Sequence, residues 1–393
     1  MTGNPQSVIR NPQFRVLHLA KEAGTLRLFM LPVCDAMRAA GAQVELACMH
    51  RGPNYDPLDQ AGYPLHGLYA GGWKSPRTWR VLYKQIRTLL REGRYDLMVV
   101  HTPVISWIAR AAARGLVPTV VYMAHGLPFA PQQRPLKRWV YRRVESFVGR
   151  WNDGIIVMNE ADAMAAQRYR LSRTGLWFKV PGVGLDVGAW SQPIAEPLRQ
   201  QVLRQFGLSA DKPIVLYMGR FVSDKRPGDI LECARRVGPK AQFVLAGEGP
   251  LWESSAIRAA AIGPHVHVLP FTDLARPLLQ CASLVAFPSV YIEGLPRVLL
   301  EAQAAGKPPV AYDIRGSHDA IVHNKTGMLV PPRDVNGFCK AVGSLLDDPA
   351  RREQLAVAGR QWVQQTFSLD ASVAAQLSAL REVCRAKGTP APW

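Results

Sequence analysis

The sequence predicts an α/β protein built from two Rossmann-like domains in series, each with a parallel sheet. Short apolar runs alternate with amphipathic helical patterns along the chain, which is typical of parallel strands covered by helices on both faces. The 393 residues are too many for one ordinary domain. The alternation stops at a proline- and glycine-rich stretch near residues 180–186 and then restarts, which indicates a second domain of the same kind.

The first half contains five predicted strands and four predicted helices. The strands are expected at residues 14–20, 44–49, 97–101, 119–124 and 154–158. The helices are expected at residues 28–40, 75–91, 105–113 and 135–151.

The second half follows a linker with a short helix at residues 197–206. Its strands are expected at residues 214–218, 242–246, 265–269, 284–287, 309–312 and 326–330. Its helices are expected at residues 229–237, 251–260, 274–281 and 335–346. A last helical stretch, residues 370–384, is expected to return to the first domain. The predicted boundaries are 1–187 for an acceptor-binding domain, 188–369 for a nucleotide-sugar-binding domain, and 370–393 for the returning helix, with ligands in a cleft where strand carboxyl ends meet.

Composition limits the class of protein. The hydrophobic fraction of 48% is ordinary for a globular core. No apolar run approaches the roughly 18–20 residues that span a bilayer, and the first dozen residues lack an apolar signal core. The six cysteines form no Cys-x-x-Cys pair, so they are expected to be reduced and buried. We therefore expect a cytoplasmic protein.

Positive charge is concentrated in the first half of the chain. The net charge is +18, and residues 70–151 alone hold 15 basic and 3 acidic residues. Several tryptophans lie among these cations, including Trp73, Trp79, Trp139 and Trp151. The helices at 75–91 and 135–151 are interpreted first as core-facing, and alternatively as docking on the anionic inner face of the plasma membrane. No nucleic-acid partner is expected, because no recognised fold or aromatic stacking platform is present.

Two glutamates eight positions apart are the most specific chemical signal. Glu293 lies in a loop after the strand at 284–287, and Glu301 lies on the helix that follows. Gly294, Leu295 and Pro296 connect the loop of Glu293 to the helix that carries Glu301. A helix N-terminus after a strand favours anions, and an ionised carboxylate accepts hydrogen bonds from hydroxyl groups. The combination suits a ligand with phosphates and sugar hydroxyls, such as a nucleotide-sugar.

Two glycine-containing loops follow other strands of the second half. Gly219 and Arg220 follow the strand at 214–218, with Lys225 five positions after Arg220. An arginine and a lysine in such a loop can clamp a pyrophosphate, or they can be solvated surface cations. Gly247 and Glu248 follow the strand at 242–246, where the alternative is simple turn chemistry. The chain contains no Asp-x-Asp motif, so neither a metal ion nor another cofactor is expected.

Histidines follow two strands of the first half. His125 comes after the strand at 119–124 and His101 ends the strand at 97–101. Either can contact a sugar or phosphate group, although a lone strand-end histidine is often structural. Glu22, Gly24 and Arg27 lie in the first strand-to-helix loop, where a phosphate or acceptor can bind.

These stretches together resemble the GT4 family of retaining glycosyltransferases, which have the GT-B fold. The resemblance covers nearly the whole chain and rests on residues 289–311, 124–126, 181–186, 219–225 and 246–249. It extends to the branch that builds capsular, exopolysaccharide and lipopolysaccharide chains. The chain departs from many members at residues 23–25, which read Ala-Gly-Thr where a glycine pair is common, and at residues 159–160, which read Asn-Glu where Ser-Glu is usual.

The resemblance implies a role for each matching residue. Glu293 would bind the donor sugar, and Glu301 the ribose. Arg220 and Lys225 would hold the diphosphate, and His125 would lie beside the transferred sugar. The implied reaction moves a sugar, with a UDP-sugar favoured as donor, to a lipid-linked or polysaccharide acceptor, without a metal. Two alternatives remain: a nucleotide-sugar 2-epimerase of the same architecture, and a non-enzymatic basic scaffold that binds membrane or nucleic acid.

Overall fold

The computed structural model describes residues 13–49, 54–69, 71–72, 75–131 and 133–393. The chain divides into two compact units. Unit 1 comprises Met1–Val157, Asp162–Val183 and Val373–Trp393, and unit 2 comprises Met158–Ala161 and Gly184–Ser372. The domain boundary predicted after residue 187 lies four residues after Val183, where the chain passes from unit 1 to unit 2.

Unit 1 is built on a parallel sheet with seven strands among the described residues. Its order is β3-β2-β1-β4-β5-β6-β7. The strands are β1 (Arg15–Leu19), β2 (Gln43–Met49), β3 (Leu65–Leu68), β4 (Leu97–His101), β5 (Thr119–Ala124), β6 (Gly154–Val157) and β7 (Leu176–Lys179).

Unit 2 is built on a parallel sheet with six strands. Its order is β10-β9-β8-β11-β12-β13. The strands are β8 (Ile214–Met218), β9 (Gln242–Ala246), β10 (Val266–Leu269), β11 (Leu284–Phe287), β12 (Pro309–Tyr312) and β13 (Met328–Val330).

Helices connect the strands of both sheets. Those in the first half of the chain are α1 (Ala23–Thr25), α2 (Leu31–Ala39), α3 (Tyr55–Asp59), α4 (Pro76–Gly93), α5 (Pro103–Ala113), α6 (Pro135–Val148), α7 (Glu160–Arg168) and α8 (Val187–Ser191). The others are α9 (Glu196–Gln205), α10 (Pro227–Val237), α11 (Trp252–Ile262), α12 (Ala275–Cys281), α13 (Arg297–Ala304), α14 (Ser317–Ala320), α15 (Val335–Asp347), α16 (Pro349–Thr366) and α17 (Leu369–Ala386). A π-helical turn, Leu26–Met30, joins α1 to α2.

The predicted fold class is confirmed: both sheets are parallel and both are covered by helices. All eleven strands expected from the sequence are present, with ends that differ by at most two residues. The two edge strands of the first sheet, β3 and β7, were not predicted from the sequence. Edge strands are only partly buried, so they lack the continuous apolar run that identifies a central strand. The α16 helix was not predicted either, because its few buried residues are separated by arginines and glutamines.

The last helix packs on unit 1. Gln376 Nε2 on α17 donates to the Gly182 carbonyl at 3.1 Å. A Cβ added at Gly154 would lie 2.4 Å from Val383 Cγ2, so the glycine lets α17 approach β6 closely. The rings of Phe14 and Trp393 meet edge to face, with their centroids 5.4 Å apart.

The cysteines behave as expected, since all six are free and buried. Among the described helices, we find none with the length and apolar character required to cross a membrane.

The two basic helices differ from each other. The α4 helix buries Leu82, Ile86 and Leu90 on one stripe, as predicted for a core-facing helix. The α6 helix also faces the core, through Glu145, Val148 and the half-buried Tyr141, but the apolar side chains Trp139 and Val140 are exposed instead of buried.

Candidate functional site

The loops after β8 and β9 touch each other through their backbones. The register pairs Met218 with Ala246, so the two loops start at the same level of the sheet. The Gly219 N–H donates to the Ala246 carbonyl at 3.1 Å. Gly247 has φ 147°, and a Cβ there would lie 2.1 Å from the Gly219 oxygen. Only glycine fits at Gly247, and the reason visible in the structure is this close packing.

Lys225 and Glu293 form an ion pair at the ends of neighbouring strands β8 and β11. Their side chains are 11% and 20% exposed. The two loops are also joined by a backbone hydrogen bond of 2.8 Å from Val290 N–H to the Asp224 carbonyl. The sequence predicted both residues near a strand end, and the structure brings them into contact.

Tyr291 brings the two predicted cations together. Its ring centroid lies 5.1 Å from Arg220 Cζ and 5.4 Å from Lys225 Nζ. Arg220 is exposed, and within the described part of the chain it has no ion-pair partner. Lys225 also lies 4.8 Å from the Phe287 ring centroid. An arginine whose charge is not neutralised by a carboxylate, beside a lysine on the same ring, is an arrangement suited to an anion.

Glu301 lies in the second turn of α13, whose N-cap is Pro296. Its carboxylate is 3.4 Å from Arg297 Nε, one helical turn earlier. Burial raises the pKa of Glu301, and the nearby Arg297 charge partly opposes this. A mostly buried carboxylate held beside one guanidinium is a good acceptor for ligand hydroxyl groups.

The backbone before α13 is held by close packing. Gly316, after β12, has φ 85°, and a Cβ there would lie 2.8 Å from the Gly294 oxygen. Leu295 packs, half-buried, against the core beneath α13.

Glu248, in the loop after β9, is exposed, and its carbonyl accepts from the Phe221 N–H at 2.7 Å.

Sequence reasoning missed Tyr217 and Tyr291. The Tyr217 hydroxyl donates to the Arg220 carbonyl at 2.9 Å and so supports the turn that carries the arginine. Tyr291 lies inside the segment that contains both glutamates, residues 289–301, which we call the glutamate motif. Its relation to Arg220 and Lys225 could not be predicted, because it depends on β8 and β11 being neighbours. An aromatic residue two positions before a candidate carboxylate was the available signal.

Three histidines follow one another across unit 1, and we call them the histidine chain: His18 and His101, which are buried, and His125, which is half-buried. His18 Nδ1 lies 3.1 Å from His101 Nε2, and His101 Nδ1 lies 3.1 Å from His125 Nε2. The register places His18 opposite Val99 and His101 opposite Met123. Side chains two residues apart share a face, so all three histidines lie on the same side of the sheet. His101 and His125, both sequence candidates, are thus in contact, and His18 was missed.

Gly24 lies in unit 1, in the short helix α1 of the loop that follows β1. A Cβ there would lie 3.2 Å from Asn54 Nδ2. Arg27 Nη1 donates to Asn54 Oδ1 at 2.8 Å. Among the described residues, no group of three or more His, Cys, Asp and Glu side chains is arranged to hold a metal ion.

Comparison with known proteins identifies the family. The profile of "Glycosyl transferases group 1" matches residues 199–362, and that of "Glycosyl transferase 4-like domain" matches residues 24–176. EpsD of Bacillus subtilis (strain 168), whose name assigns it to the glycosyltransferases, is 30% identical over 291 residues, 71% of this chain and 75% of EpsD. The chain belongs to the GT4 family of glycosyltransferases. The resemblance inferred from the motifs is therefore confirmed.

Two further comparisons describe this glycosyltransferase. It is 24% identical to the Escherichia coli UDP-Gal:alpha-D-GlcNAc-diphosphoundecaprenol alpha-1,3-galactosyltransferase over 319 residues, 78% of this chain and 80% of that protein. A crystal structure of Anabaena Alr3699/HepE in complex with UDP and glucose superimposes with a TM-score of 0.80 at 18% identity, covering 94% of this chain and all of that one. The structural likeness establishes the GT-B fold.

Proposed function

We propose that this glycosyltransferase moves a hexose from a UDP-sugar to a lipid-linked or polysaccharide acceptor and retains the anomeric configuration. The observation that carries the proposal is that Arg220 and Lys225 lie against the Tyr291 ring, with Glu293 paired to Lys225, at the ends of β8 and β11. The names of relatives support it: the E. coli enzyme uses UDP-Gal and a diphosphoundecaprenol acceptor, and HepE was crystallised with UDP.

The proposed roles follow from charge and position. Arg220 and Lys225 hold the diphosphate and stabilise the charge that develops on it as the bond to the sugar breaks. Glu293 binds sugar hydroxyls, and Glu301 accepts from the ribose hydroxyls. Gly24, Gly219, Gly247, Glu248 and the segment Gly294, Leu295 and Pro296 complete the nucleotide-sugar site, and His125 contacts the transferred sugar.

Retention is proposed to occur without a covalent enzyme intermediate. The bond between the anomeric carbon and the diphosphate oxygen breaks, and the acceptor oxygen bonds to the same face of that carbon. The acceptor proton passes to the leaving diphosphate. Two cations at the site supply the charge that a divalent ion would otherwise supply, so EDTA should leave the activity intact. Loss of activity in EDTA with recovery in Mg²⁺ or Mn²⁺ would contradict this part.

A binding panel followed by product analysis tests the transferase proposal. UDP, GDP and their common sugar conjugates are titrated by calorimetry, and the donor that binds is incubated with and without lipid-diphosphate-linked sugar acceptors. The expected result is UDP-sugar binding and an acceptor-dependent product with the donor's anomeric configuration. Conversion of the donor without any acceptor would favour the 2-epimerase, and failure to bind any nucleotide would favour the non-enzymatic scaffold.

We also propose that α6 docks this enzyme on an anionic membrane, where a lipid-linked acceptor is presented. Leu136 is 74% exposed and Trp139 is 52% exposed. Val140 and Phe147 share their side of the helix, while Glu145 lies on the opposite side and is buried. Five cations lie on or just after α6: Lys137, Arg138, Arg142, Arg143 and Arg150.

We expect α6 to bind the membrane because it carries a row of exposed apolar side chains with basic side chains beside it. Arg143 Cζ lies 5.8 Å from the Trp139 ring centroid. Each basic side chain near an anionic surface contributes about 1 kcal/mol, so a few suffice for reversible attachment. Trp79 is also exposed, and Trp151 is half-buried; Trp73 lies outside the described residues.

Sedimentation with liposomes tests the docking. Wild-type protein should bind vesicles containing phosphatidylglycerol more than neutral vesicles, and rising salt should weaken the binding. The variant Leu136→Ser/Trp139→Ser should lose most of it. The control is Ile257→Ser on α11, a residue 68% exposed in unit 2. Equal losses in both variants, or partitioning that salt does not change, would contradict docking through α6.

A further inference from the structure

The histidine chain is a row of hydrogen bonds rather than a stack of rings. The ring centroids of His18 and His101 are 5.4 Å apart, while their facing nitrogens are only 3.1 Å apart. His101 and His125 show the same relation, with centroids 5.2 Å and nitrogens 3.1 Å apart. Each pair therefore meets edge to edge, which is the geometry of an N–H···N hydrogen bond.

Each ring of the chain is neutral at physiological pH. Burial lowers the pKa of His18 to about 3 and that of His125 to about 4. Burial, and then the neighbouring histidines, lower the pKa of His101 well below its usual value. A neutral imidazole has one N–H and one bare nitrogen. Each N–H···N bond needs one N–H donor and one bare nitrogen acceptor. A ring between two others therefore donates to one neighbour and accepts from the other, so all bonds in the row run in the same donor-to-acceptor direction.

Met37 decides that direction. Its sulfur lies 3.5 Å from His18 Nε2, at the inner end of the row. A thioether has no hydrogen to donate and is a weak acceptor. Nε2 of His18 therefore carries the hydrogen, and its Nδ1 is bare and accepts from His101 Nε2–H. His101 Nδ1 is then bare in turn and accepts from His125 Nε2–H. At the outer end, His125 is left with a bare Nδ1.

We propose that Met37, His18 and His101 are positioning residues that hold His125 in the Nε2–H tautomer. His125 thereby presents Nδ1 as a hydrogen-bond acceptor to a hydroxyl group of the bound sugar. The contact with a sugar hydroxyl rests on the proposed transferase function, whereas the tautomer of His125 does not. The opposite direction would present Nδ1–H, a donor suited to a phosphate oxygen, so the tautomer separates two kinds of ligand contact.

NMR of the full-length protein labelled with ¹⁵N-histidine tests the proposal. Ring-nitrogen shifts distinguish a bare nitrogen from a protonated one, and a scalar coupling between two nitrogens reports an N–H···N bond. In the wild type at neutral pH, we expect Nδ1 of His125 to be bare and Nε2 to carry the hydrogen. Couplings should connect His18 to His101 and His101 to His125. Nδ1–H on His125, or an imidazolium there, overturns the proposal.

A pair of methionine variants tests the role of the sulfur. Met37→Leu keeps the apolar volume and removes the acceptor, so it should shift the tautomer ratio of His125 toward Nδ1–H by about twofold, the low end for one hydrogen bond because the sulfur is a weak acceptor. Met98→Leu is the control, because Met98 is equally buried on β4. Equal shifts in both variants overturn the role of Met37. If Met37→Leu does not fold, the wild-type tautomer still decides the direction of the chain.

Ligand titration separates this inference from the transferase proposal. UDP-glucose and UDP-galactose should each be compared with UDP alone. A change in the Nδ1 signal with a UDP-sugar but not with UDP supports acceptance from a sugar hydroxyl. If a UDP-sugar binds and leaves Nδ1 unchanged, the hydroxyl contact is refuted. The tautomer is read before any ligand is added, so a failed transfer assay leaves that measurement valid.

Discussion

Replacing Lys225 with alanine should slow turnover severely while the protein stays folded. Lys225 pairs with Glu293 and lies beside Phe287 and Tyr291, at the place we assign to the diphosphate. Loss of a charge-assisted contact that forms in the transition state lowers the rate by about 10²–10³, which corresponds to about 3–4 kcal/mol.

The accompanying loss of stability should be small. Glu293 remains 20% exposed, so water partly replaces the lost cation. A fully buried ion pair broken on one side loses about 3–5 kcal/mol. With this solvent access, we expect Lys225→Ala to lower the free energy of unfolding by about 1–2 kcal/mol.

The matched control is Lys240→Ala. Lys240 pairs with Asp347 at 2.6 Å in the same unit, but both side chains are exposed. Breaking such a surface pair changes stability by about 0–1 kcal/mol. Urea denaturation and initial rates with the UDP-sugar found by calorimetry are measured for both variants. If folded Lys225→Ala keeps its rate within tenfold of the wild type, the diphosphate role is refuted.

Three further predictions concern other parts of the chain. Glu301→Gln should weaken UDP binding about tenfold or more by calorimetry, because a charged acceptor for the ribose is lost; equal affinity would refute the ribose role. Glu145→Gln leaves the Arg110 charge buried, since that pair is joined at 2.8 Å with neither side chain exposed. Urea denaturation should show a loss of about 3–5 kcal/mol, mostly recovered in Arg110→Met/Glu145→Leu; no recovery would contradict this account. As pH falls from about 6.5 toward 4, the unfolded state binds protons that the folded histidine chain cannot, so stability should fall by up to about 1.4 kcal/mol per pH unit for each histidine. An unchanged slope in His18→Asn would contradict this.

The fold could be predicted from the sequence because its central strands are buried on both faces. Such strands appear as continuous apolar runs, for example Leu284–Phe287, whose residues are all buried. The edge strand Leu176–Lys179 alternates half-buried and exposed residues, so its pattern resembles a loop. The helix Pro349–Thr366 has the same difficulty, because most of its surface is polar. The strands and the helix that were not predicted are those whose residues are only partly buried.

The residues of the candidate site that depend on one loop alone could be predicted from the sequence. Arg220, Lys225, Glu293 and Glu301 were each found because a charged residue followed a predicted strand or began the next helix. Tyr291 was missed because its role arises from partners on a different strand. The chemistry of one residue is visible in a sequence, but a contact between loops requires the strand order.

Strand order also explains why the histidine chain could not be predicted. In unit 1, β1 is flanked by β2 and β4, and in unit 2, β8 is flanked by β9 and β11, so the two sheets follow the same order around their first strands. The histidine chain connects residues of β1, β4 and the loop after β5. The glutamate motif follows β11, which occupies the same place beside β8 that β4 occupies beside β1. Each candidate site thus lies where the strand order reverses, the usual place for ligands in such sheets. The sequence places histidines at strand ends, but the state of His125 depends on Met37, which lies on α2 and contacts His18 on β1, a strand that is not adjacent to β5. A proton position that is set through three rings can be read only from the folded structure.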